Sequence, residues 1–140
     1  MSGLESIGVR VERAAVSEGI SSGVAAIATE IASLLDRLAA DAEAGAIDLR
    51  SLPMTTADRL GLEQLLGPGE VRATIDADGV STVRETGIAG VWWTEHRNRQ
   101  GEVLAELIEI CRVPEILVLA PDALAPGARL LRERIAASSL

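Results

Sequence analysis

The sequence predicts an α+β fold, in which an antiparallel β-meander of about four strands packs with a long N-terminal helix, a short second helix and C-terminal helices. Three observations predict it. Apolar residues recur at helical spacing between residues 20 and 38. From Glu70 onward, apolar and polar residues alternate with the period of a strand. Turn sequences at Asp78-Gly79 and at residues 98–101 divide this second region into hairpins.

The N-terminal helix is predicted over residues 21–44, with Gly45 as its terminator. Its apolar residues are spaced alternately by four and three positions, which places them on one stripe: Ile20, Val24, Ile27, Ile31, Leu34 and Leu38. The stripe could be a core face or a self-association seam. We favour the core, because so few heptads are marginal for a free coiled coil. Residues 1–17 lack a clear period and are predicted to be a flexible arm before a single domain at 18–140.

The second helix is predicted to begin at Thr55, with Asp58 completing a pattern similar to a capping box. Residues 47–53 before it are expected to form an extended link, and the GPGE sequence at 67–70 is expected to end it in a turn. Strands are predicted over residues 70–77, 80–86, 91–97 and 102–113. The tail after Pro114 is predicted to be helical, with a break at Pro121.

The adjacent residues Trp92 and Trp93 are the only aromatic side chains besides His96 in a chain without Phe or Tyr. Neighbours along a strand point to opposite faces of the sheet, so the two rings must separate. A turn at residues 98–101 with a left-handed glycine would place Asn98 opposite Glu102. This register puts Trp93 on the face under the helices and Trp92 on the second face, opposite Ile108.

In that register, the second face also carries His96, Glu106 and several aliphatic residues. It is too apolar to lie free in solvent, which indicates cover by a helix, a partner or another subunit. The alternative is that both faces are covered within the chain.

Composition limits the classes of partner. The formal net charge is −8 and the pI about 4.6, which would repel nucleic acid phosphates and anionic membrane surfaces. No segment has the apolar length of a membrane span, and the first residues do not resemble a secretory signal. One cysteine is ordinary for a reducing compartment, so we expect a cytoplasmic protein that binds neither nucleic acid nor membrane.

The sequence gives little support for any group of residues that could act together in catalysis. Cys111 and His96 would lie on opposite faces of their hairpin, and one His with one Cys is too few for a metal site of that type. The glycines at residues 67–69 follow a helix instead of opening one, so they are no phosphate loop. The sequence thus favours an interaction protein over an enzyme, with no catalytic residues, no cofactor and no metal.

Three stretches, IDLRSLPMTTADRLGLEQLLGPGEV, RETGIAGVWWTEHRNRQGE and AELIEICRVPEIL, occur in an order that resembles the C-terminal domain of the HupH/HyaF hydrogenase expression and formation proteins. The resemblance covers about residues 46–120. It implies a non-catalytic accessory protein, or chaperone, for maturation of uptake [NiFe]-hydrogenase. Its implied partners are the iron-sulfur small subunit before export and other maturation proteins.

Longer members of that family contain more than one such region, whereas this chain holds a single copy. Three interpretations stay open: a full functional equivalent, a paralogue, or a subunit that forms a homodimer to replace the second copy. The resemblance brings no active-site residues with it. Where its motifs meet the strand geometry, five residues are predicted to contact a partner: Trp92, Trp93, His96, Arg112 and Pro114. Two alternatives remain open, a small redox or metal-handling protein that uses Cys111 and His96, and a structural homodimer built on the stripe from Ile20 to Leu38.

Overall fold

The structure is a computed structural model and describes residues 20–139, so the predicted flexible arm lies outside the described residues. Three α-helices accompany a five-stranded antiparallel sheet in this range, which confirms the α+β class. The helices are α1 (Ser22–Asp41), α2 (Thr56–Leu66) and α3 (Leu124–Ser138). The strands are β1 (Gly45–Asp48), β2 (Pro68–Ala77), β3 (Gly79–Thr86), β4 (Val91–Arg97) and β5 (Val103–Ile110).

Strands β2 to β5 form the predicted meander, and the fifth strand, β1, pairs with β5 to give the order β1-β5-β4-β3-β2. β1 overlaps the predicted extended link only at residues 47 and 48, and Gly45 to Asp48 align antiparallel with Ile110 to Leu107. The backbone hydrogen bonds of β1 come from its pairing with β5, and a four-residue strand is too short for its sequence to predict that pairing. A 3-10 turn, Leu49–Ser51, then leads toward α2.

Helix α1 buries part of its apolar stripe against the sheet, so the stripe is a core face. Val24, Ile27 and Ile31 are buried, and they belong to one core cluster with Trp93 and Ile108. The buried part of the stripe is therefore not available as a homodimer seam, because those side chains are already covered within the chain. The helix ends at Asp41, earlier than predicted, and left-handed Ala42 closes it instead of Gly45.

Helix α2 begins with the predicted capping box. The Thr55 hydroxyl accepts a hydrogen bond from the Asp58 amide at 3.0 Å, and the Asp58 carboxylate accepts one from the Thr55 amide at 3.2 Å. The Ser21 hydroxyl also donates to Asp58, at 2.8 Å, which links the first turns of α1 and α2. This bond is the main reason that the pKa of Asp58 is lowered.

We expect Thr55→Ala to lower the free energy of unfolding by about 1 kcal/mol, because the amide of Asp58 loses its partner at the helix start. Urea denaturation at neutral pH measures the change. Thr56→Ala is the matched control, since Thr56 is the first helical residue and is exposed. Equal losses in the two variants would contradict the assigned capping role.

The β4–β5 hairpin contains a bulge that corrects the predicted register. The turn is as expected, with the Asn98 amide bonded to the Glu102 carbonyl at 3.0 Å and Gly101 at φ +82°. However, Arg97 lies opposite Val103 and His96 opposite Ala105, so Leu104 is an extra residue. Every later residue of β5 changes face.

Trp93 is consequently the residue opposite Ile108, and Trp92 lies opposite Glu109, which overturns the predicted pairing of Trp92 with Ile108. The face of the sheet under the helices, which we call the helix face, therefore carries Trp93, Glu106, Ile108 and Ile110. The prediction that Trp93 packs under the helices is confirmed by its place in the core cluster.

The C-terminal segment departs from the prediction of packed helices. Two 3-10 turns, Glu115–Leu117 and Pro121–Ala123, precede α3, whose main contact in the chain is with the second of these turns. All residues of α3 are exposed. The helix forms as its periodicity predicts, but the sheet does not cover it. No helix in the part of the chain that the structure describes is both long and apolar enough to cross a membrane.

Candidate functional site

Two guanidinium groups lie over the ring of Trp93 on the helix face of the sheet. The guanidinium carbon of Arg84 is 4.8 Å from the ring centroid and that of Arg59 is 5.7 Å away, both within cation–π distance. The indole Nε1 donates a hydrogen bond to Glu106 Oε2 at 3.2 Å. The ring is only 3% exposed, so these polar contacts surround a side chain that is part of the core.

Glu106 is the most buried charged group of this cluster, with 3% exposure. Arg59 of α2 donates to both of its carboxylate oxygens and also approaches Glu95 at 3.8 Å. The hydrogen bonds to Glu106 are the main reason that the pKa of Arg59 is raised, and they outweigh burial, which acts in the opposite direction. The charge on the carboxylate is thus compensated by a bidentate partner, as a buried ion requires.

A polar groove opens beside this cluster, between α2 and the outer strands β2 and β3. Its cavity volume is about 280 Å³. Its lining residues are Arg59, Glu63, Arg72, Thr74, Thr82, Arg84, Trp93, Glu95 and Glu106. We call this feature the Trp93 groove.

The charges of the Trp93 groove are paired except at its outer strand. Arg84 bonds Glu63 at 2.8 Å, and Arg59 bridges the two acidic residues of the inner strands. Arg72 lies directly opposite Arg84 on the edge strand β2, and its side chain makes no ion pair within residues 20–139. An exposed arginine next to a second arginine favours a carboxylate as ligand. The groove is therefore chemically suited to an acidic side chain of a partner.

Both predicted tryptophans are buried. Trp92 retains 7% exposure, and its Nε1 donates to the Cys111 carbonyl at 3.2 Å. Its face of the sheet also holds Val83 and Thr94, which are inaccessible to solvent. Of the two possibilities for this face, the structure favours cover within the chain at its centre.

The other predicted contact residues are spread over the molecule. His96 is half-buried and shares a hydrogen bond with Ser81 Oγ at 2.8 Å, near the far end of β4 from Trp92. Arg112 is exposed just after β5, whereas Pro114 is buried. The five residues thus do not form one surface, and their contact with a partner stays a prediction.

Cys111 and His96 cannot act as a pair. His96 lies opposite Ala105, six residues before Cys111, which at about 3.3 Å per strand residue is roughly 20 Å. Burial, assisted by the charge of Glu109, raises the pKa of the Cys111 thiol to about 11. The thiol is therefore protonated, and weakly nucleophilic, at neutral pH.

We expect iodoacetamide to alkylate Cys111 in the folded chain at pH 7.5 at least about tenfold more slowly than in the urea-unfolded chain. The raised pKa lowers the thiolate fraction, and the higher intrinsic nucleophilicity of a more basic thiolate offsets only part of that loss. Mass spectrometry of timed samples gives both rates. Equal rates would contradict the assigned environment.

Apart from Trp93, the residues of the Trp93 groove are not predicted as a site by sequence patterns. Glu106 carries the one usable signal, because it shares the strand period of Ile108 and Ile110 and so interrupts an inward-facing apolar row. An inward acid predicts a buried basic partner. The identity of that partner, Arg59, depends on how α2 crosses the sheet. No group of three or more His, Cys, Asp or Glu residues suited to hold a metal occurs within residues 20–139.

Comparisons with known proteins agree with this architecture. Hydrogenase-1 operon protein HyaF of Escherichia coli K12 is 37% identical over 93 residues, which are 66% of this chain and 33% of that protein. Hydrogenase expression/formation protein HupH of Rhodobacter capsulatus is 30% identical over 116 residues, or 81% of this chain and 42% of that protein. The chain thus spans less than half the length of these two relatives.

A solved structure, hydrogenase expression protein HupH from Thiobacillus denitrificans, superimposes with a TM-score of 0.78 at 40% identity. The match covers 83% of this chain and 97% of that chain. Residues 22–138 match the family model described as HupH hydrogenase expression protein, C-terminal conserved region. The chain therefore belongs to the family of the HupH C-terminal region.

Proposed function

We propose that this protein is an accessory domain in the maturation of [NiFe]-hydrogenase, and that it acts in the cytoplasm by binding a client. The observation that carries the proposal is the family match over residues 22–138. The relatives are named as hydrogenase operon, expression or formation proteins. The chain spans only part of these relatives, so the assignment of their activity to this protein is itself part of the proposal.

We further propose that the chain binds without catalysis. The ionic groups around Trp93 are mostly paired, which supports a rigid recognition surface more than a proton-transfer site. The protonated Cys111 thiol and its distance from His96 give no support to a redox or metal-handling role.

The client that we propose is the iron-sulfur small subunit of the hydrogenase before its export. Other maturation proteins are the further partners that we propose. We place its contact at the Trp93 groove, where Arg72 is exposed and lacks an acidic partner in the described part of the chain. A client carboxylate could bond Arg72 together with the guanidinium of Arg84, which also bonds Glu63. This arrangement would give a charge-assisted contact that is anchored by a rigid core.

The test is an affinity purification of the tagged full chain from cells that are producing hydrogenase. We expect recovery of the small-subunit precursor, and at least about tenfold less recovery with Arg72→Glu, because a loss of 1.4 kcal/mol corresponds to a factor of ten. Arg99→Glu is the matched control, since Arg99 pairs with Asp78 in an exposed position outside the groove. Absence of every hydrogenase subunit from the wild-type sample would contradict the function. Equal recovery of the precursor with Arg72→Glu and with Arg99→Glu would contradict the Trp93 groove as the contact site.

A further inference from the structure

Helix α3 presents an apolar stripe that the rest of the described chain, residues 20–139, leaves uncovered. Leu124, Leu131 and Ile135 are 64%, 61% and 57% exposed, and Ala128 lies between them at helical spacing. A 15-residue helix is marginal in water without a surface to pack against. The stripe therefore indicates that α3 has a docking surface.

The flanks of the stripe are basic. At 100° per residue, Arg132 and Arg134 lie on either side of it. The helix carries Arg129 in addition and only one acidic residue, Glu133, although the whole chain has a net charge of −8. The fitting partner surface has an apolar floor and an acidic rim.

The chain itself contains such a surface. A cavity of about 250 Å³ lies between α1 and residues 52–58. Ala26, Ile27 and Met54 contribute apolar lining, and the acidic residues Glu30 and Asp58 border it. This surface, which we call the α1 groove, is centred on the side of α1 that carries Gly23, Ala26 and Glu30. The buried Ile27 lies at its boundary with the core face of Val24 and Ile31.

The α1 groove is not filled by α3 of the same chain, because the main contact of α3 is with the turn Pro121–Ala123. We propose that α3 of a second copy occupies it, and that the exchange is reciprocal. Two equal contacts then close a two-fold dimer, in which no apolar stripe remains free. Basic flanks meet an acidic rim in both contacts. This inference is independent of the hydrogenase client.

Sedimentation equilibrium of the full chain at high micromolar concentration tests the dimer. We expect the wild-type chain to sediment as a dimer. Leu131→Asp should sediment as a monomer, because a charge enters the stripe. Ala137→Asp adds the same charge on the opposite side of α3 and should remain a dimer. A monomeric wild-type chain would overturn the proposal.

A second matched pair of variants tests whether α3 docks in the α1 groove. Ala26→Trp fills the α1 groove and should give a monomer, whereas Ala32→Trp, also exposed but away from the groove, should remain a dimer. Both alanines are exposed, so folding is expected to persist, and far-UV circular dichroism checks it in each variant. A folded Ala26→Trp chain that stays dimeric would show that α3 docks elsewhere and would overturn the proposal.

Discussion

Replacing Trp93 by alanine is expected to lower the free energy of unfolding by about 4 kcal/mol, more than any other single substitution proposed for this chain. The ring is 3% exposed and packs in the same cluster as Val24, Ile31 and Ile108. In a core whose other members are aliphatic, no neighbouring side chain is large enough to fill the space. Chemical denaturation followed by circular dichroism measures the loss.

Trp93→Phe separates the contributions of ring volume and indole hydrogen bond. It keeps an aromatic face for Arg84 but removes the donor to Glu106, so we expect a loss of about 1–2 kcal/mol. A Trp93→Ala chain that loses less than about 1 kcal/mol would contradict the central position of the ring, because buried Trp truncations typically cost several times more.

The second large effect is expected for Arg59→Met, which leaves the buried Glu106 carboxylate without its bidentate partner. Breaking a fully buried pair costs about 3–5 kcal/mol. The side chain of Arg59 is 42% exposed, so solvent replaces part of the interaction, and we expect about 2 kcal/mol. Urea denaturation at pH 7 measures the change.

The double variant Arg59→Met with Glu106→Gln should recover part of that loss. Glutamine at position 106 keeps an oxygen that can accept from the indole Nε1 of Trp93, and no buried charge would remain. Arg99→Met serves as the control, because its exposed partner Asp78 needs no compensation, and it should cost less than about 0.5 kcal/mol. If the double variant were less stable than Arg59→Met, an uncompensated charge on Glu106 would not explain the instability of Arg59→Met, and the assigned role of the ion pair would be wrong.

The α+β class and most elements could be predicted because their periodic patterns are strong. The stripe of α1, the cap at Thr55 and the strand at 91–97 each depend on local chemistry that the sequence displays. β1 was missed because four residues carry little pattern, and its pairing with β5 spans a long sequence separation. Such an edge strand is determined by its partner more than by its own composition.

One extra residue explains the error in the predicted faces of β5. Leu104 looks like a regular strand residue in the sequence, but the bulge beside His96 leaves it unpaired and 60% exposed. The shift moves Glu106 under the helices, where it meets Arg59. The Trp93 groove was therefore hidden from sequence patterns by a single local irregularity in register.

Helix α3 shows a different limit. Its stripe predicts that one face must be covered, but periodicity does not say which molecule provides the cover. Only the structure shows that the described residues leave this stripe exposed, and this exposure is the basis for the proposed docking onto a second copy. The same reasoning applies in reverse to Trp92, whose predicted need for cover is met in the single chain.

The most direct test of the proposed client is a calorimetric titration of the purified full chain with the purified small-subunit precursor of a [NiFe]-hydrogenase. We predict saturable binding that Arg72→Glu weakens at least about tenfold and that Arg99→Glu leaves unchanged. Absence of binding by the folded wild-type chain would contradict the proposed client.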